Sequence, residues 1–468
     1  MCNYVEGSEK MTLKKGRLSF VASSVNLLEG SIVKSLLIFA FPMFIGQLLQ
    51  QFYNMADAWV IGQFADDTAF AAVSSAGNII FLIVGLFNGI SIGGGVIISK
   101  YYGAGDRENV VKAIHTNFLF ALISSVAATA IGLILIPHIL GWMNTPETVL
   151  PQSMSYFSIY FGGVSTVILY NICMSIMRSL GDSARPLLYL IISTLTNIVL
   201  DALFVAVFDW GVAGAAIATV ISQGLSVVLC LIRMLRIDDY TRLDFRKLKF
   251  DGRMMGEVIK QGLPTGIQNA VISIGNISVQ TNINFFKEYA MAGMGAYSKI
   301  EGFVFMPIMS MSMSLPTFVS QNLGAGNHKR AKKGAVFGML FGIVTAELLG
   351  VLLYFVAPSL LKIFVDSELS LSYGITHVHI TALFYCLLAL SHCAAGVLRG
   401  CGKSFIPMIT MLMFWCGVRV VYVNSILHYI PKFEMISWAY PITWTLSSIV
   451  LTVCLLTVNW ERAFEKKQ

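Results

Sequence analysis

Twelve long apolar runs constrain the fold of this sequence more than any other feature. They lie at about 32–62, 68–99, 115–137, 154–177, 186–208, 211–235, 254–286, 290–320, 334–358, 375–398, 405–428 and 435–459. A helix of about 20 apolar residues spans a bilayer core of ~30 Å. The 468-residue chain is 56% hydrophobic and 12% charged, with a mean hydropathy of +0.73, which excludes a soluble domain. We therefore predict an all-α polytopic membrane protein with twelve transmembrane helices.

The distribution of positive charge predicts which side of the membrane each loop faces. Segments on the side of the two termini hold 27 of the 32 lysines and arginines, whereas the opposite loops hold only Lys287, Lys362 and Lys432. Positive residues collect in cytoplasmic loops, so both termini are expected in the cytoplasm. The net charge of +7 therefore reflects the positive residues of the cytoplasmic segments, and we expect no nucleic-acid partner.

The two halves of the chain repeat each other at a nearly constant offset. Gly103-Ala104-Gly105 matches Gly324-Ala325-Gly326, and the segment from Arg178 matches the segment from Arg399, both 221 residues apart. Six spans preserve orientation, so we expect two six-helix lobes related by a pseudo-two-fold axis along the membrane normal. Such a repeat places a binding site between the lobes.

The repeat divides the chain into five segments. We predict a cytoplasmic N-terminal segment at 1–30, an N-lobe at 31–235, a cytoplasmic inter-lobe loop at 236–253, a C-lobe at 254–460 and a cytoplasmic tail at 461–468. Pro42 and Pro264 occupy equivalent positions inside the first span of each lobe. They are predicted to be structural hinges, with a static kink as the alternative.

Polar residues inside the apolar runs are the candidate functional residues, because burying a charge in a bilayer is expensive. Asn197 and Asp201 are four residues apart in the fifth run and so share a helical face. A polar stripe in the first run ends at Asp57. Counted from the outer ends of their spans, Asp57, Asp201 and Thr219 lie at similar depth, with Asn197 one turn deeper.

These four residues fit two kinds of coupling cation. Carboxylates with amide and hydroxyl oxygens suit a hard cation such as Na⁺. Two nearby acids in a low dielectric also suit a proton, because both cannot ionise easily. The choice between Na⁺ and H⁺ stays open, and two separate structural acids are the alternative. We predict no other metal site, no cofactor and no enzyme, since no cysteine pair, nucleophile–base signature or phosphate loop is present.

Other intramembrane polar residues receive separate predictions. A substrate cavity between the lobes is predicted to be lined by the amides Gln47, Gln50, Asn54, Gln268, Asn269 and Asn276. Glu347 and Arg419 lie at comparable mid-depth and are predicted to form a structural ion pair.

Several motifs in this chain resemble those of the MATE family, the multidrug and toxic compound extrusion transporters. They are NIVLD in the fifth run, GVAGAAIATVISQ after it, LRGCGKS in the second half, and Pro42 placed fifteen residues before Asp57. The resemblance covers about residues 25–460. It implies a secondary antiporter that exports organic, often cationic, compounds in exchange for Na⁺ or H⁺. The family's N-lobe cation site maps onto Asp57, Asn197, Asp201 and Thr219.

The resemblance also sets expectations for the rest of the chain. Some family members carry a glutamate in the seventh span and an aspartate in the tenth, where this chain has Gln268, Asn269 and His392. The N-lobe is therefore expected to carry the coupling. The implied setting is a bacterial cell membrane, with small amphipathic organic substrates and membrane lipids as partners of a monomer. The alternatives are a lipid-linked-sugar flippase of the same superfamily, which needs a strongly basic cavity, and a non-transporting receptor or enzyme.

Overall fold

The computed structural model describes residues 24–64, 67–142, 145–237 and 239–461, without the side chains of 54, 56–64, 67–83 and 142. The first half contains helices α1 (Ile32–Phe64), α2 (Asp67–Gly103), α3 (Arg107–Trp142), α4 (Leu150–Gly162), α5 (Val164–Ser179), α6 (Ala184–Asp201) and α7 (Gly211–Leu235). The second half contains α8 (Gly252–Asn284), α9 (Lys287–Gly324), α10 (His328–Leu361), α11 (Glu368–Thr381), α12 (Tyr385–Gly400), α13 (Phe405–Met411), α14 (Arg419–Tyr429) and α15 (Phe433–Leu456).

These helices make twelve passes, because three passes are built from two helices each. Helices α4 and α5 meet at a bend of 42°, α11 and α12 are joined by the 3₁₀ turn Ala382–Phe384, and α13 and α14 by the π-helical stretch Leu412–Val418. Within the described ranges, nine passes are long and apolar enough to cross a membrane, and the bent α4–α5 pair would be a tenth. The two other passes are α2 and α8.

Aspartates outside the spans begin two of the helices at the ends of loops. Asp106 accepts hydrogen bonds from the side chain and the backbone N–H of Asn109 in the first turn of α3, and these bonds lower the pKa of the Asp106 carboxyl. Asp251 accepts a hydrogen bond from the backbone N–H of Met254 in the first turn of α8. Side-chain acceptors at this position satisfy N–H groups that have no partner inside the helix.

The internal repeat is present in the structure at the level of single residues. Helices α2 and α9 end at Gly103 and Gly324, 221 residues apart. Gly181 and Gly402, also 221 apart, both adopt positive φ, of 87° and 75°. Ser91 donates to the carbonyl of Asn171, and their repeat counterparts Ser312 and His392 make the same hydrogen bond, both at 2.8 Å. The predicted fold class, two related six-pass lobes, is confirmed.

The lobes exchange the beginnings of their first helices. Leu36, Phe39 and Met43 of α1 belong to the hydrophobic core that is otherwise built from the second half of the chain. Met254 and Val258 of α8 belong to the core of the first half. The start of each lobe's first helix is therefore buried in the core of the other lobe, although the predicted boundaries 31–235 and 254–460 assign it to its own lobe.

Helices α2 and α8 cross in direct backbone contact. A Cβ added to Gly89 would lie 2.1 Å from the backbone N of Gly266, and one added to Gly93 would lie 2.3 Å from the backbone N of Gly262. Small residues allow such close approach of membrane helices. The equivalent crossing of α1 and α9 is polar instead, because Ser310 donates to the carbonyl of Ala40 at 2.8 Å.

The lobes also meet at one end of the bundle, which we call the loop end, defined by the segments 24–31, 104–106, 180–183, 236–237, 239–251, 325–327 and 401–404. A Cβ on Gly103 would lie 1.9 Å from the carbonyl O of Gln321, and one on Gly324 would lie 2.0 Å from that of Lys100. Gln321 also donates to the carbonyl of Ser179 at 2.7 Å. These contacts close the space between the lobes at the loop end.

The segment before α1 adds a strap across the same end. The backbone N of Val25 donates to Gly181 of the first lobe at 2.9 Å. Two residues later, the carbonyl of Leu27 accepts hydrogen bonds from Asn322 and Arg330 of the second lobe, both at 3.2 Å. The strap therefore contacts both lobes within three residues.

The substitution Gly93→Ala tests the α2–α8 crossing. An alanine Cβ overlaps the backbone of α8, so the helices have to separate, and we expect a loss of about 1–3 kcal/mol of stability. The measurement is the thermal unfolding midpoint of the purified protein. Gly256→Ala in α8 is the matched control, since a Cβ there meets nothing within 4 Å. Equal midpoints for the two variants would contradict the described packing.

Candidate coupling site and inter-lobe faces

A stripe of buried polar side chains runs along α6 in the first lobe. Asn197 and Asp201 are 0% and 1% exposed, and Thr194 lies one turn before Asn197 on the same face. In the described part of the chain, neither amide atom of Asn197 has a hydrogen-bond partner, and the hydroxyl of Thr194 has none either. A buried polar atom without a partner costs about 1–3 kcal/mol, so such atoms need an explanation.

The helix changes its winding immediately after this stripe. Helix α6 ends at Asp201, and the π-helical stretch Ala202–Val207 follows without a break. Single π-helical turns inside α-helices occur often at functional sites. The wider turn places Asp201 at the junction between two backbone geometries.

Helices α1 and α7 contribute hydroxyl groups to the same lobe. The hydroxyls of Tyr53 on α1 and Thr219 on α7 lie 3.1 Å apart, within hydrogen-bond distance. Ser193 of α6 donates to the carbonyl of Ser222 on α7 at 2.7 Å. The structure therefore brings α1, α6 and α7 into contact, and α6 and α7 carry the predicted residues Asn197, Asp201 and Thr219. The side chains of Asn54 and Asp57, two further predicted site residues, lie outside the described part of the chain.

Sequence reasoning missed Tyr53 and Thr194. Tyr53 lies four residues before Asp57 and therefore on the same face of α1, and Thr194 lies three residues before Asn197. In both cases the helical spacing to a predicted site residue was the signal that could have found the residue. Inside an apolar run, a tyrosine or a threonine is not distinguished from the apolar background.

Two of the predicted cavity residues reach across from one lobe to the other. Gln47 of α1 donates to the sulfur of Met313 on α9 at 3.4 Å, and Asn269 of α8 donates to the carbonyl of Gly85 on α2 at 3.3 Å. Asn276, two turns after Asn269, is exposed, and Gln50 is half-buried. Gln47 and Asn269 therefore lie on the faces where the lobes meet.

The prediction that Gln268 lines the cavity is wrong for this conformation. Gln268 is 2% exposed, accepts a hydrogen bond from Arg399 at 3.0 Å, and donates to the sulfur of Met411 at 2.8 Å. One residue along a helix is a rotation of about 100°, so Gln268 turns into the second lobe while Asn269 faces the first.

The ion pair predicted between Glu347 and Arg419 is not formed in the structure. Glu347 accepts a hydrogen bond from the backbone N of Cys386 at 3.0 Å, in the first turn of α12. Arg419 is 2% exposed and donates to the hydroxyl of Thr443 from two nitrogens, at 2.8 and 3.3 Å. Equal depth in the membrane did not place the two residues together, because they lie on different faces of the lobe.

Arg419 is instead a fixed cation inside the second lobe. Its guanidinium lies 4.5 Å from the ring centroid of Tyr440 and 5.4 Å from that of Trp415. Aromatic faces stabilise a buried cation through their electron-rich centres.

Pro42 and Pro264 both lie inside helices that continue beyond them, α1 and α8. Each proline lies in the part of its helix that contacts the other lobe. Their role as hinges stays a prediction.

Comparison with known proteins identifies the family. The MatE family model matches residues 42–203 and 264–423, one segment in each lobe. The probable multidrug resistance protein YoeA of Bacillus subtilis is 27% identical over 450 residues, which are 94% of this chain and 95% of the relative. The FAD transporter of Shewanella oneidensis is 26% identical over 348 residues, 72% of this chain and 75% of the relative.

A solved structure shows the same fold. It is described as the outward-facing conformation of a multidrug resistance MATE family transporter of the MOP superfamily. It is 20% identical, covers 92% of this chain and 97% of its own, and superposes with a TM-score of 0.87.

The fold and the family model together define a membrane transporter rather than an enzyme. The chain belongs to the MatE family, a class of multidrug efflux proteins. With its apolar helices and bacterial relatives, the chain is a multi-pass protein of a bacterial membrane.

The substitution Asn197→Leu tests whether the α6 stripe is kept for binding. Leucine has a similar shape and removes two buried polar atoms without partners, so we expect the unfolding midpoint without coupling ion to rise. Asn117→Leu is the matched control, because the Asn117 amide donates to the carbonyl of Ala113 at 2.8 Å and its loss is expected to destabilise. A fall in midpoint for Asn197→Leu as large as for the control would show that Asn197 has a structural role.

Proposed function

We propose that this transporter is a secondary antiporter that exports organic, often cationic, compounds in exchange for Na⁺ or H⁺ bound in the first lobe. The observation that carries the proposal is the buried stripe of α6, in which Asp201 follows an asparagine whose amide has no partner among the described residues. A carboxylate at this depth is costly unless a cation or a proton neutralises it.

The groups around Asp201 suit a small cation. Asn197, Thr219 and Tyr53 offer neutral oxygens on three helices, and oxygen ligands are those that hard cations prefer. Asp57 belongs to the proposed site through its position in the sequence, four residues after Tyr53. A proton on Asp201 would neutralise the site as well, so the arrangement is compatible with either coupling ion.

The interior of the second lobe supports coupling through the first lobe alone. Arg419 is buried beside Thr443, Trp415 and Tyr440 and carries a permanent positive charge. A fixed guanidinium disfavours a second cation at the same place. We therefore propose one coupling site per chain.

The substrate is proposed to bind between the lobes, against Gln47, Gln50, Asn54, Asn269 and Asn276. Gln47 and Tyr53 belong to the same helix, six residues apart, so α1 connects the coupling site to the inter-lobe face. Ion binding that shifts the outer part of α1 then changes the cavity. Pro42 lies near the end of the α1 segment that is anchored in the other lobe, five residues before Gln47, which makes it the proposed hinge, with Pro264 at the equivalent place in α8.

We propose an organic cation as the substrate because of the negative charge in the first lobe, and not because of the names of the relatives. The relatives include a probable multidrug resistance protein and an FAD transporter at similar identity, so their names do not select one class. An organic cation and the coupling ion compete for the same negative charge in the first lobe, which is the simplest basis for exchange.

The orientation follows from the positive residues. The loop end carries most of the lysines and arginines, so we propose that it faces the cytoplasm together with both termini and the inter-lobe loop 236–253. The lobes then open away from the cytoplasm in this conformation. We propose that the transporter works as a monomer, with membrane lipids around it.

Asp201→Asn in proteoliposomes tests this function directly. Uptake or release of a fluorescent organic cation is followed while a pH gradient and a Na⁺ gradient are imposed separately. We expect one gradient to drive transport by the wild type and the neutral variant to fall to the background rate, because its site no longer changes charge. Asp209→Asn is the matched control, since Asp209 is an exposed acid eight residues further along.

Two outcomes would contradict the proposal. Gradient-driven transport by Asp201→Asn at the wild-type rate would make Asp201 a structural acid. Transport of a lipid-linked sugar, with no response to either gradient, would favour the flippase alternative. The flippase requires a strongly basic inter-lobe cavity, whereas the described inter-lobe faces of α1 and α8 present amides.

A further inference from the structure

Arg178 lies at the interface between the lobes without an acidic partner among the described residues. Arg178 is the penultimate residue of α5, and its Nε atom is fully buried without a hydrogen-bond partner. Within the residues that the structure describes, no acidic side chain forms an ion pair with it. A guanidinium remains charged at any pH that a protein tolerates, so this charge needs compensation.

Arg178 lines a cavity of about 40 Å³ between α2, α5 and α9. The polar part of the wall comes from Asn88 and Ser91 of α2, Asn171 and Ser175 of α5, and Thr317 of α9. The lining contains no aspartate or glutamate. A water molecule needs about 10–15 Å³ of cavity volume, so the cavity has room for a small ion and a water molecule or two.

The internal repeat provides a comparison within the same chain. Arg399 is the counterpart of Arg178, and it donates to Gln268 at 3.0 Å. The first helices of the two lobes repeat at an offset of 222 residues, as Pro42 and Pro264 do. The counterpart of Gln268 is therefore Gly46, which offers no side chain. An amide of α8 therefore accepts a hydrogen bond from one nitrogen of Arg399, whereas its Nε atom, like that of Arg178, has no partner among the described residues. The position equivalent to this amide is a glycine in the first lobe.

The space beside the two arginines differs in the same way. His392, the counterpart of Asn171, packs against Phe305 and Trp415 with ring centroids 5.1 and 5.3 Å away. Asn171, in contrast, lines the polar cavity beside Arg178. A duplication that kept the arginine for packing alone gives no reason for this difference.

We propose that the Arg178 cavity is a binding site for a small monovalent anion, either free chloride or the carboxylate of a solute. The guanidinium supplies the charge, and the amide of Asn88 and the hydroxyl of Thr317 can donate hydrogen bonds from two other helices. The site is separate from the proposed coupling residues on α6 and does not depend on them.

The position of the cavity gives the anion a conformational effect. Thr317 belongs to the second lobe, whereas Arg178 and Asn88 belong to the first, so a bound anion bridges the lobes. The contact between Gln321 and Ser179, which closes the loop end, lies one residue beyond Arg178. An anion in the cavity therefore stabilises the conformation in which the loop end is closed.

The test is the thermal unfolding midpoint of the purified full-length transporter as a function of anion, at constant sodium and constant ionic strength. Chloride and acetate replace gluconate, which is too large for the cavity, and acetamide serves as the uncharged equivalent of acetate. A ligand that binds the folded state raises the midpoint with saturation. We expect saturable rises with chloride or acetate and none with acetamide.

Variants assign the effect to the cavity. In Arg178→Gln we expect the half-saturating anion concentration to increase by about tenfold or more. Arg399→Gln is the matched control and keeps the wild-type response, because Arg399 is bonded to Gln268 and lines no part of this cavity. Should Arg178→Gln fail to fold, Asn88→Leu retains the arginine, fills the cavity with an apolar group and is expected to lose the response.

The outcomes separate the two sources of the anion. A response to chloride alone identifies a free halide, and a response to acetate alone identifies a carboxylate site for solutes. A response to both, with mutual competition, identifies one site for either. The proposal is overturned if the wild type shows no saturable anion effect, or if the effect is unchanged in both Arg178→Gln and Asn88→Leu.

Discussion

The backbone contact between α2 and α8 is the constraint on which the arrangement of the lobes depends. At Gly89–Gly266 and Gly93–Gly262 the helices leave no room for a single Cβ atom. In lipid, helices associate through close packing rather than through the hydrophobic effect, so backbone contact of this kind is a strong way to hold two lobes together. The starts of α1 and α8, each buried in the opposite core, belong to the same junction.

Two lobes with one fold have acquired different interiors. The first lobe buries an acid beside an amide without a described partner, and it retains a polar cavity beside Arg178. The second lobe gives its buried arginines internal partners, which are Gln268 for one nitrogen of Arg399, and Thr443 with aromatic rings for Arg419. Buried polar groups without partners are expensive in a membrane protein, so Asn197 and the cavity beside Arg178 are the places where we expect ligands to bind. The two lobes share one repeated fold, whereas the polar residues that we propose to bind ligands differ between them.

Sequence alone predicted the passes, the repeat and the face of α6, because span length and helical spacing are local properties. It paired Glu347 with Arg419 and placed Gln268 in the cavity wrongly, because these assignments depend on how a helix is rotated about its axis. Depth can be counted along a helix, but rotation is set by packing against neighbours that are distant in sequence. The exchange of helix starts between the lobes was missed for the same reason. The sequence shows that Leu36 is apolar, but it does not show which of the two cores buries it.

The central claim is that a cation at Asp201 and an organic cation exclude each other. Calorimetric titration of the purified transporter with an organic cation, repeated across pH and Na⁺ concentration, measures this directly. The account predicts that acid or Na⁺ weakens binding to the wild type, because either neutralises the first-lobe site, and that binding to Asp201→Asn is independent of the same ion. The account would be contradicted if binding to the wild type were independent of both pH and Na⁺, or if Asp201→Asn kept the wild-type dependence.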